Sequence, residues 1–535
     1  MMLKKQQVRN NSGSGIGNMR ILAVLLLAGV SLSSTIAADL YNEPWRPQYH
    51  FTPAKNWMND PNGLVFYKGE YHLFFQHNPF GEKWGHMSWG HAVSTDLVHW
   101  RELPVALREE NGIMIFSGSA VVDWRNSSGL CDSGDPKDPS CLIAIYTGHT
   151  SEQQTQNIAY SNDRGRTWTK YPGNPVIDLH MKDFRDPKVF WDAAANKWMM
   201  VAALPTEHKV RFFASDNLKR WTALSDFGPA GEIAGAWECP DLFELPVDGN
   251  RNDMRWVLVV NVNPGGPQGG SAGQYFIGKF DGAHFVNENP PEKTLWIDYG
   301  KDFYAVTSFS DIPPSDGRRI WIGWLSNWQY ANDEPTSPWR TMDSIPRVVK
   351  LRKTSEGIRI AQEPIAELVK LREKPIAHRA DNLNVKGDAL EIAVELELGG
   401  AKEAGLQLRM GADQKTVVGI RREPPEVFID RTKSGDVSFS PKFAGVHAAP
   451  LASAAGRHKL HILIDRSSVE VFCDDGETVL SDRIFPSLSS NGVEMYSNGG
   501  KARVDSLRVW RLRSALASHD KRSVAVQVKP PAQRH

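Results

Sequence analysis

The sequence contains few cysteines and has no formal net charge. The 535 residues include four cysteines, which excludes a small fold held together by many disulfides. Lys plus Arg number 62 and Asp plus Glu number 62, so the chain lacks the basic field that nucleic-acid binding requires. The remaining composition, with 41% hydrophobic and 23% charged residues, is typical of a folded protein of about two to four domains. We therefore expect no nucleic-acid partner.

Long hydrophobic runs are confined to the N-terminus. Residues 1–20 carry four basic side chains and no acid, residues 21–32 are almost wholly apolar, and residues 33–38 are mostly small. This order predicts a signal peptide over residues 1–38 and a secreted or periplasmic mature protein. A membrane anchor is the alternative, but the apolar run is short for a bilayer. No other stretch approaches about 18 apolar residues, so no membrane span is expected after signal removal.

An oxidising compartment would allow cysteines to pair. Cys131 and Cys141 flank a short loop rich in Asp, Pro and Gly and are the candidates for a disulfide. Cys239 and Cys473 lie in hydrophobic sequence and are expected to be buried thiols. Sequence spacing leaves the pairing itself open.

Long helical periodicity is missing from residues 50–345, where five strand-like apolar runs recur instead. Their starts are 70, 56, 58 and 64 residues apart. The runs are Tyr71–Gln76, Cys141–Tyr146, Lys197–Ala202, Arg255–Val260 and Arg319–Trp324. In three units a polar turn then leads to a tryptophan, as suits a hairpin: Ser94–Trp100, Ser161–Trp168 and Ser215–Trp221. The repeat predicts a five-bladed β-propeller over residues 39–348, and a two-layer sandwich with coincidental spacing is the alternative.

The pattern changes after the last repeat. Residues 349–375 are interpreted as a connector, because charges mix with Leu, Ile and Val at helical spacing over residues 359–374. Short alternating strands such as Leu390–Leu398 then predict a C-terminal β-sandwich over residues 376–513. Residues 514–535 are expected to be a disordered tail. The predicted fold is thus all-β, a five-bladed β-propeller followed by a β-sandwich.

Three acidic residues occupy the same position in different repeats. Asp60, Asp186 and Glu238 each stand just before or at the start of a unit's first apolar strand, close to a proline. Because equivalent positions of a propeller surround one axis, we expect the three carboxyl groups to meet at the mouth of one funnel. Carboxyl groups brought together should have one raised pKa while the others stay low, as a glycosidase requires. Taken singly, each acid could equally be a turn or capping residue.

The residues around these acids suit a sugar pocket. Four can hydrogen-bond hydroxyl groups: Asn59, Gln76, Ser117 and Arg185. Four can pack on ring faces: Trp57, Trp84, Phe116 and Trp324. Any one of the eighteen tryptophans could instead be a core residue, and Trp84, among glycines, is the least core-like of these four.

Three motifs carry a family resemblance. Trp57–Gly63 (WMNDPNG), Phe184–Pro187 (FRDP) and Trp237–Asp241 (WECPD) resemble the signature motifs of glycoside hydrolase family 32, the β-fructosidases. The resemblance covers residues from about 43 to 512 and implies a five-bladed propeller followed by a sandwich. It also implies a retaining mechanism without metal or cofactor. The implied roles are Asp60 as nucleophile, Glu238 as general acid/base, Asp186 as transition-state stabiliser, and seven of the eight pocket residues above, all but Trp57, as substrate contacts.

The implied activity is that of a secreted exo-β-fructosidase. Asp302–Ala305, Trp328–Ala331 and Pro338–Arg340 resemble the exo-acting inulinases and levanases, so the expected substrates are levan, inulin and sucrose. Pro346–Val349 departs from the usual family pattern without affecting a catalytic role. One alternative is a sucrose-preferring invertase or a fructosyltransferase. A non-catalytic fructan-binding propeller is another, and it predicts loss of Asp60 or Glu238, which are both present.

Overall fold

Strands dominate the protein. The computed structural model describes residues 41–132, 134–135, 137–376, 383 and 385–516; the predicted signal peptide and the tail beyond residue 516 lie outside these ranges. The described helical segments are short 3₁₀ turns at Pro205–Glu207, Ala331–Asp333 and Ala366–Leu371. Within the described residues, no helix combines the length and apolar character that a membrane crossing needs.

The first three blades are antiparallel sheets of four consecutive strands. The first holds β1 (Asn56–Tyr67), β2 (Glu70–Asn78), β3 (Ser88–Ser94) and β4 (Arg101–Leu107). The second holds β5 (Met114–Asp123), β6 (Cys141–His149), β7 (Gln154–Ser161) and β8 (Thr169–Lys170). The third holds β9 (Arg185–Asp192), β10 (Lys197–Leu204), β11 (Lys209–Ser215) and β12 (Thr222–Phe227).

The last two blades share one hydrogen-bonded sheet, because they pair in parallel at a single register position, Val247 with Leu351. The fourth blade holds β13 (Ala236–Val247), β14 (Asn250–Asn263), β15 (Ala272–Phe280) and β16 (Phe285–Asn287). The fifth holds β17 (Tyr304–Ser308), β18 (Arg319–Trp324), β20 (Arg347–Thr354) and β21 (Gly357–Pro364). The short strand β19 (Trp339–Arg340) leaves this blade and pairs in parallel with β1.

The predicted repeat is confirmed strand by strand. Each of the five apolar runs lies in the second strand of its blade, which is hydrogen-bonded to a strand along each edge and is mostly buried over the run. Each predicted turn lies between the third and fourth strands, and its tryptophan indole donates to the carbonyl three residues earlier: Trp100 to Leu97 at 3.1 Å, Trp168 to Gly165 at 3.1 Å and Trp221 to Leu218 at 3.0 Å. The tryptophans therefore close the hairpins of the first three blades.

The five first strands form the centre of the propeller. β1, β5, β9, β13 and β17 contact one another in that order, and β17 returns to β1. The ring closes through the β1–β19 pair and through the Ser310 amide, which donates to the Leu64 carbonyl at 2.8 Å. Equivalent positions on these strands thus face one axis, as the repeat predicts.

Two further sheets form the C-terminal sandwich. One contains, in spatial order, β22 (Val385–Lys386), β31 (Gly492–Asn498), β24 (Glu403–Met410), β25 (Lys415–Arg421), β26 (Glu426–Lys433) and β27 (Val446–Pro450). The other contains β30 (Thr478–Arg483), β29 (Ser468–Cys473), β28 (Arg457–Asp465), β23 (Leu390–Glu397) and β32 (Arg503–Arg511). Their alternating apolar side chains meet in one buried core, which includes Leu390, Ile392, Leu406 and Ile462.

The segment interpreted as a connector is largely sheet. β20 and β21 occupy residues 347–364 and pair along their whole length at the edge of the fifth blade. The expected helix is reduced to the 3₁₀ turn Ala366–Leu371. Ile358 and Ile360 alternate with Arg359, as in a strand. Pairing with β20 stabilises this strand over the helix that the spacing of apolar residues predicted. Helix within residues 359–364 is therefore a wrong expectation, while the predicted domain boundaries stay a prediction.

The cysteines behave as their sequence contexts indicate. Cys131 and Cys141 form a disulfide, which closes the loop before β6. Cys239 and Cys473 are free and buried.

Arg347 is the centre of a buried ionic contact between the propeller and the sandwich. Its side chain is 0% exposed at the start of β20. The guanidinium donates to Asp298 Oδ2 at 3.0 Å, to Ser481 Oγ at 2.7 Å and to Glu470 Oε2. Glu470 also bonds the His50 imidazole at 2.8 Å. Removing Arg347 would leave carboxylates from both parts of the fold buried without their cation.

Replacing Arg347 by Met is expected to destabilise the protein by about 3–5 kcal/mol, because breaking a buried ion pair leaves uncompensated charge. Denaturant unfolding monitored by fluorescence measures this difference. Arg352→Met is the matched control on the same strand, since its partner Glu363 lies 3.3 Å away in a half-exposed pair worth at most about 1 kcal/mol. Equal losses in both variants would contradict the proposed importance of the buried contact.

Candidate active site

All five inner strands are irregular at the same height. Register shifts interrupt pairing between Met58 and Pro61 in β1, between Phe116 and Gly118 in β5, and between Glu238 and Asp241 in β13. The pairing of β9 shifts at Arg185 to Lys188, and that of β17 shifts between Tyr304 and Thr307. A bulge turns a side chain away from the regular alternation of a strand. Because the five bulges lie at similar positions in the five inner strands, they direct their residues toward the axis.

Local sequence explains where the bulges fall. Asp60, Asp186 and Cys239 are each followed by proline, which has no N–H to offer the ladder. Asp186 and Cys239 also have positive φ angles, 63° and 44°, as does Ala305 at 52°. Such angles are uncommon for residues other than glycine and cluster at functional sites. The Asp-Pro and Cys-Pro steps thus end regular pairing where the predicted catalytic groups stand.

Asp60 is held by a chain of hydrogen bonds. Ser117 Oγ donates to Asp60 Oδ2 at 2.6 Å and Asn59 Nδ2 donates to Oδ1 at 3.0 Å. The Trp57 indole in turn donates to Asn59 Oδ1 at 2.7 Å. Burial raises the pKa of Asp60, while the bonds from Ser117 and Asn59 act against that rise. The carboxyl group is fixed in orientation and partly shielded from water.

Asp186 and Cys239 form the next part of the site. The Cys239 amide donates to Asp186 Oδ2 at 2.9 Å, and Thr147 Oγ accepts the Asp186 amide at 2.9 Å. The Cys239 thiol lies 3.5 Å from Asp60 Oδ2 and 3.7 Å from Asp186 Oδ2, so it stands between the two aspartates. Burial and these acids raise the pKa of Cys239, which keeps it a neutral thiol.

Glu238 is the most accessible of the three acids, with a side chain 21% exposed. Arg185 donates to its Oε1 from Nη2 at 3.0 Å and from Nε at 3.2 Å. The Tyr304 hydroxyl donates to Oε2. Arg185 also contacts Asp183 at 3.0 Å, which fixes the guanidinium beside the acid. Glu238 is thus positioned by groups from the third and fifth blades.

The titration of the site differs from the expectation of a single raised pKa. Burial raises the pKa of Asp186 to about 7, and the charge of Arg185 opposes that shift. The pKa of Asp60 is raised as well, again chiefly by burial. Desolvation acts on each buried carboxyl group separately. The closeness of the three acids therefore does not by itself indicate which of them has a raised pKa.

Two of the aromatic residues that were expected to pack on sugar rings are buried behind the site. Trp57 and Trp324 are 0% exposed, and their rings lie 6.1 Å apart. Trp328, to which no role was assigned, stacks on Trp57 at 5.9 Å. The Trp324 indole donates to Thr341 Oγ at 2.9 Å. These rings support Asn59 from behind, and a direct sugar contact by Trp57 or Trp324 remains a prediction.

The other predicted contacts differ in exposure. Trp84 is 41% exposed and meets Phe116 edge to face at 6.1 Å, which places both beside Ser117. Gln76 is buried on β2, and its Nε2 has no hydrogen-bond partner among the described residues. Among the described residues, no hydrogen bond joins Gln76 or Trp84 to the three acids. Trp84 offers the accessible aromatic surface of the site.

The axis is filled below the acids. A small central cavity is lined by residues of all five inner strands, among them Asn62, Gly118, Asp186, Pro240 and Thr307. Farther along, Lys188 Nζ donates to the Ser308 carbonyl and lies 3.4 Å from Asp241 Oδ2, and all three residues are buried. Buried side chains therefore block the axis at this level.

Two groups near the acids are absent from the predicted site. Tyr304 occupies in β17 the position that acids occupy in other blades, and that equivalence is the signal that could have identified it. Asp343 is fully buried, and neither of its carboxyl oxygens has a partner among the described residues. Burial, and then the charge of Asp60, raise the pKa of Asp343 well above its usual range. No sequence signal marks Asp343 as part of this region.

Ser117→Ala should move the acid limb of the pH profile of kcat/KM upward by about one pH unit. The Ser117 hydroxyl stabilises the Asp60 carboxylate, so its loss raises the already raised pKa of Asp60 further. A hydrogen bond to a charged group is worth about 1.5–3 kcal/mol, and about 1.4 kcal/mol corresponds to one unit. Ser119→Ala is the control on the same strand, because Ser119 donates instead to the Pro187 carbonyl at 2.9 Å. An unmoved limb would contradict the assignment of Asp60 to that limb.

Comparison with known proteins gives a consistent picture. Residues 50–364 match the Glycosyl hydrolases family 32 N-terminal domain, and residues 348–511 match the Glycosyl hydrolases family 32 C terminal. The chain is similar to a levanase of Bacillus subtilis (strain 168), at 51% identity over 92% of this chain and 75% of the relative. It is also similar to an extracellular exo-inulinase of Aspergillus awamori, at 40% identity over 92% of this chain and 98% of the relative. The crystal structure of exo-inulinase from that organism covers 89% of this chain and 99% of its own, with a TM-score of 0.83.

Proposed function

The chain belongs to glycosyl hydrolase family 32, and on that basis we propose that it is a secreted exo-acting fructan β-fructosidase. The substrates are levan or inulin, attacked at the terminal fructosyl unit, with sucrose as a smaller substrate of the same linkage class. The names of the most similar relatives, levanase and exo-inulinase, support this choice. The observation that carries it is the meeting of Asp60, Asp186 and Glu238 around one closed-ended axis.

Asp60 is the nucleophile of this proposal. Its carboxylate attacks C2 of the terminal fructofuranosyl unit, and the bond to the departing oxygen breaks as the fructosyl-enzyme ester forms. Ser117 and Asn59 hold the carboxylate in one orientation, so little reorganisation is needed. Burial removes water from the nucleophile, which strengthens its interaction with developing positive charge.

Glu238 serves first as acid and then as base. As an acid it protonates the oxygen of the departing chain, and as a base it removes a proton from the water that releases fructose. Arg185 and Tyr304 fix the two oxygens of this carboxyl group. Asp186 holds fructose hydroxyl groups through the transition state, and the Cys239 amide positions it. No step requires a metal ion or an organic cofactor.

The closed axis favours release of single sugars. Because buried side chains fill the space below the acids, one terminal unit can enter, and the rest of a fructan must extend outward. Trp84 and Phe116 lie on that outward side, where an exposed indole can pack against the next sugar. A cleft open at both ends would instead suit internal cleavage.

Secretion and domain division complete the proposal. The N-terminal charge, apolar and small-residue order supports export, and the name of one relative includes the word extracellular. The propeller, whose fifth blade ends with β21 at Pro364, carries the chemistry, and the sandwich of residues 376–513 braces it through contacts such as that of Arg347.

Product analysis tests this function. Protein without residues 1–38 is incubated separately with levan, inulin and sucrose, and early products are separated by chromatography. Fructose as the sole early product from levan or inulin is the expected result. Asp60→Asn protein prepared in the same way controls for contaminating host enzymes.

Other product patterns favour the alternatives. Short oligomers that precede fructose would mean internal cleavage. Turnover confined to sucrose would indicate an invertase, and longer oligosaccharides formed from sucrose would indicate a fructosyltransferase. Binding without any turnover would indicate a non-catalytic fructan-binding propeller.

A further inference from the structure

Three possible metal ligands cluster in the sandwich, outside the active site described above. They are His458 near the start of β28, Cys473 at the end of β29 and Asp474 in the turn that follows. One ligand atom from each residue lies within 4.8 Å of the other two. In the part of the chain that the structure describes, this is the one group of three such residues.

Strand pairing brings the three residues together. Cys473 pairs with Leu460 in the β28–β29 hairpin, which places the following turn beside His458. Asp474 adopts a left-handed backbone, with φ at 50°, and its Oδ1 accepts the Lys459 amide at 3.0 Å. Its Oδ2 lies 2.9 Å from His458 Nδ1. The carboxylate is thereby fixed between the imidazole and the thiol.

Two observations indicate capacity for a ligand. His458 is 6% exposed, and the ring nitrogen that faces the cluster is Nδ1, whose partner among the described residues is Asp474 Oδ2 at 2.9 Å, so an ion bound between them would replace one hydrogen bond. Cys473 is a buried thiol that forms no disulfide. Access is also present, because His458, Asp474 and Glu477 line a cavity together with Trp296 and Tyr299. Cys473 itself lies behind these residues, at the edge of the apolar core of the sandwich.

We propose that His458, Cys473 and Asp474 form a binding site for a divalent ion of the Zn²⁺ class. Thiolate sulfur, imidazole nitrogen and carboxylate oxygen are the ligands that Zn²⁺ takes in proteins, usually four in tetrahedral order. Water or the Glu477 carboxylate, both available from the cavity, completes the set. Binding replaces the thiol proton, which passes to solvent, and no redox step is involved.

Such a site would act on stability. The turn that contains Asp474 is bonded to the propeller, because the Gly476 carbonyl accepts the Gln362 amide of β21 at 3.0 Å. An ion that fixes this turn also fixes the contact between the last blade and the sandwich. Anything that binds the folded state preferentially raises the unfolding temperature. This inference does not depend on the substrate of the propeller.

Cobalt binding to the full protein tests the proposal. Chelator-treated protein is titrated with Co²⁺ and, separately, with Zn²⁺, while thiolate-to-cobalt absorption, bound metal and thermal unfolding are recorded. We expect one ion per chain, a thiolate absorption band and a higher unfolding temperature. Cys473→Ser should abolish the band, and His458→Gln and Asp474→Asn should each weaken binding by more than about 100-fold, beyond the loss usual for residues outside the coordination sphere.

A matched control lies on the same strand. His461 bonds Glu391 at 2.6 Å without a thiol nearby, so His461→Gln should leave metal affinity within about twofold of the wild type. Absence of bound metal in the wild type would overturn the proposal. A band that persists in Cys473→Ser would place the thiolate at Cys239 and would overturn it equally. If Cys473→Ser does not fold, the other two variants decide the outcome.

Discussion

Asp60→Asn should lower fructan hydrolysis by about 10⁴-fold or more, as removal of a catalytic nucleophile does. The substitution keeps the size of the side chain but replaces a carboxylate by an amide, which cannot form the fructosyl ester. Initial rates of fructose release from levan, inulin and sucrose measure the loss. All three substrates should be affected alike, because they share the bond that Asp60 attacks.

Stability separates a chemical loss from misfolding in this variant. Burial raises the pKa of Asp60, so at pH values above that pKa the folded protein holds a carboxylate that the unfolded chain solvates better. Asp60→Asn should therefore unfold at the same temperature as the wild type or higher at neutral pH. Asp60→Ala, measured in parallel, excludes turnover from deamidated Asn. Turnover within tenfold of the wild type would end the assignment of Asp60 as nucleophile.

Glu238→Gln should lower turnover of fructans and sucrose by about 10³-fold, within the range typical of general acid–base groups. The loss should be far smaller for an aryl β-fructofuranoside, because a phenolate departs without a proton. Release of the sugar still needs a base, so the fructosyl-enzyme should accumulate and appear as a burst of phenol. Azide, a nucleophile that needs no base, should then restore turnover of the aryl substrate.

The control for Glu238 lies on the same strand. Glu244 is exposed on β13 and bonds no active-site group, so Glu244→Gln should retain normal activity. Equal losses on natural and aryl substrates, with no burst and no azide effect, would assign Glu238 a structural role. The two contacts from Arg185 and Tyr304 make this distinction necessary, because their loss could disturb the site without any proton transfer.

The sequence predicts the propeller because its repeat is expressed in residue types. A second strand covered on both faces must be apolar along its length, so the runs at Tyr71 and Lys197 are visible without coordinates. The same regularity predicts that Asp60, Asp186 and Glu238 meet, since a propeller brings equivalent positions to one axis, although Glu238 lies one residue before the position of Asp60 and Asp186, which Cys239 occupies in β13. The fold class, and the convergence of Asp60, Asp186 and Glu238 at one site, therefore follow from periodicity together with the three motifs.

What the sequence could not predict depends on contacts between distant segments. Helical spacing in residues 359–364 gives way to β21, because a neighbouring edge strand is available only in the folded blade. Trp57 and Trp324 are suitable ring platforms by type, and the sequence does not reveal that both side chains are fully buried; their contact with a sugar stays a prediction. Tyr304 could have been found from the sequence only by its position in the repeat, because the fifth unit carries no acid there, and its bond to Glu238 identifies it in the structure.

Closure of the ring has a consequence for the order of events during synthesis. Met58 in the first blade accepts a hydrogen bond from Thr341, which is 283 residues later in the chain. Asp60, the proposed nucleophile, is near the start of the described part of the chain, yet its blade gains its last neighbour only when most of the polypeptide has emerged. Contacts so distant along a chain form late and slowly. Partly synthesised or partly exported chains should therefore be inactive, and hydrolysis begins only after the polypeptide is nearly complete.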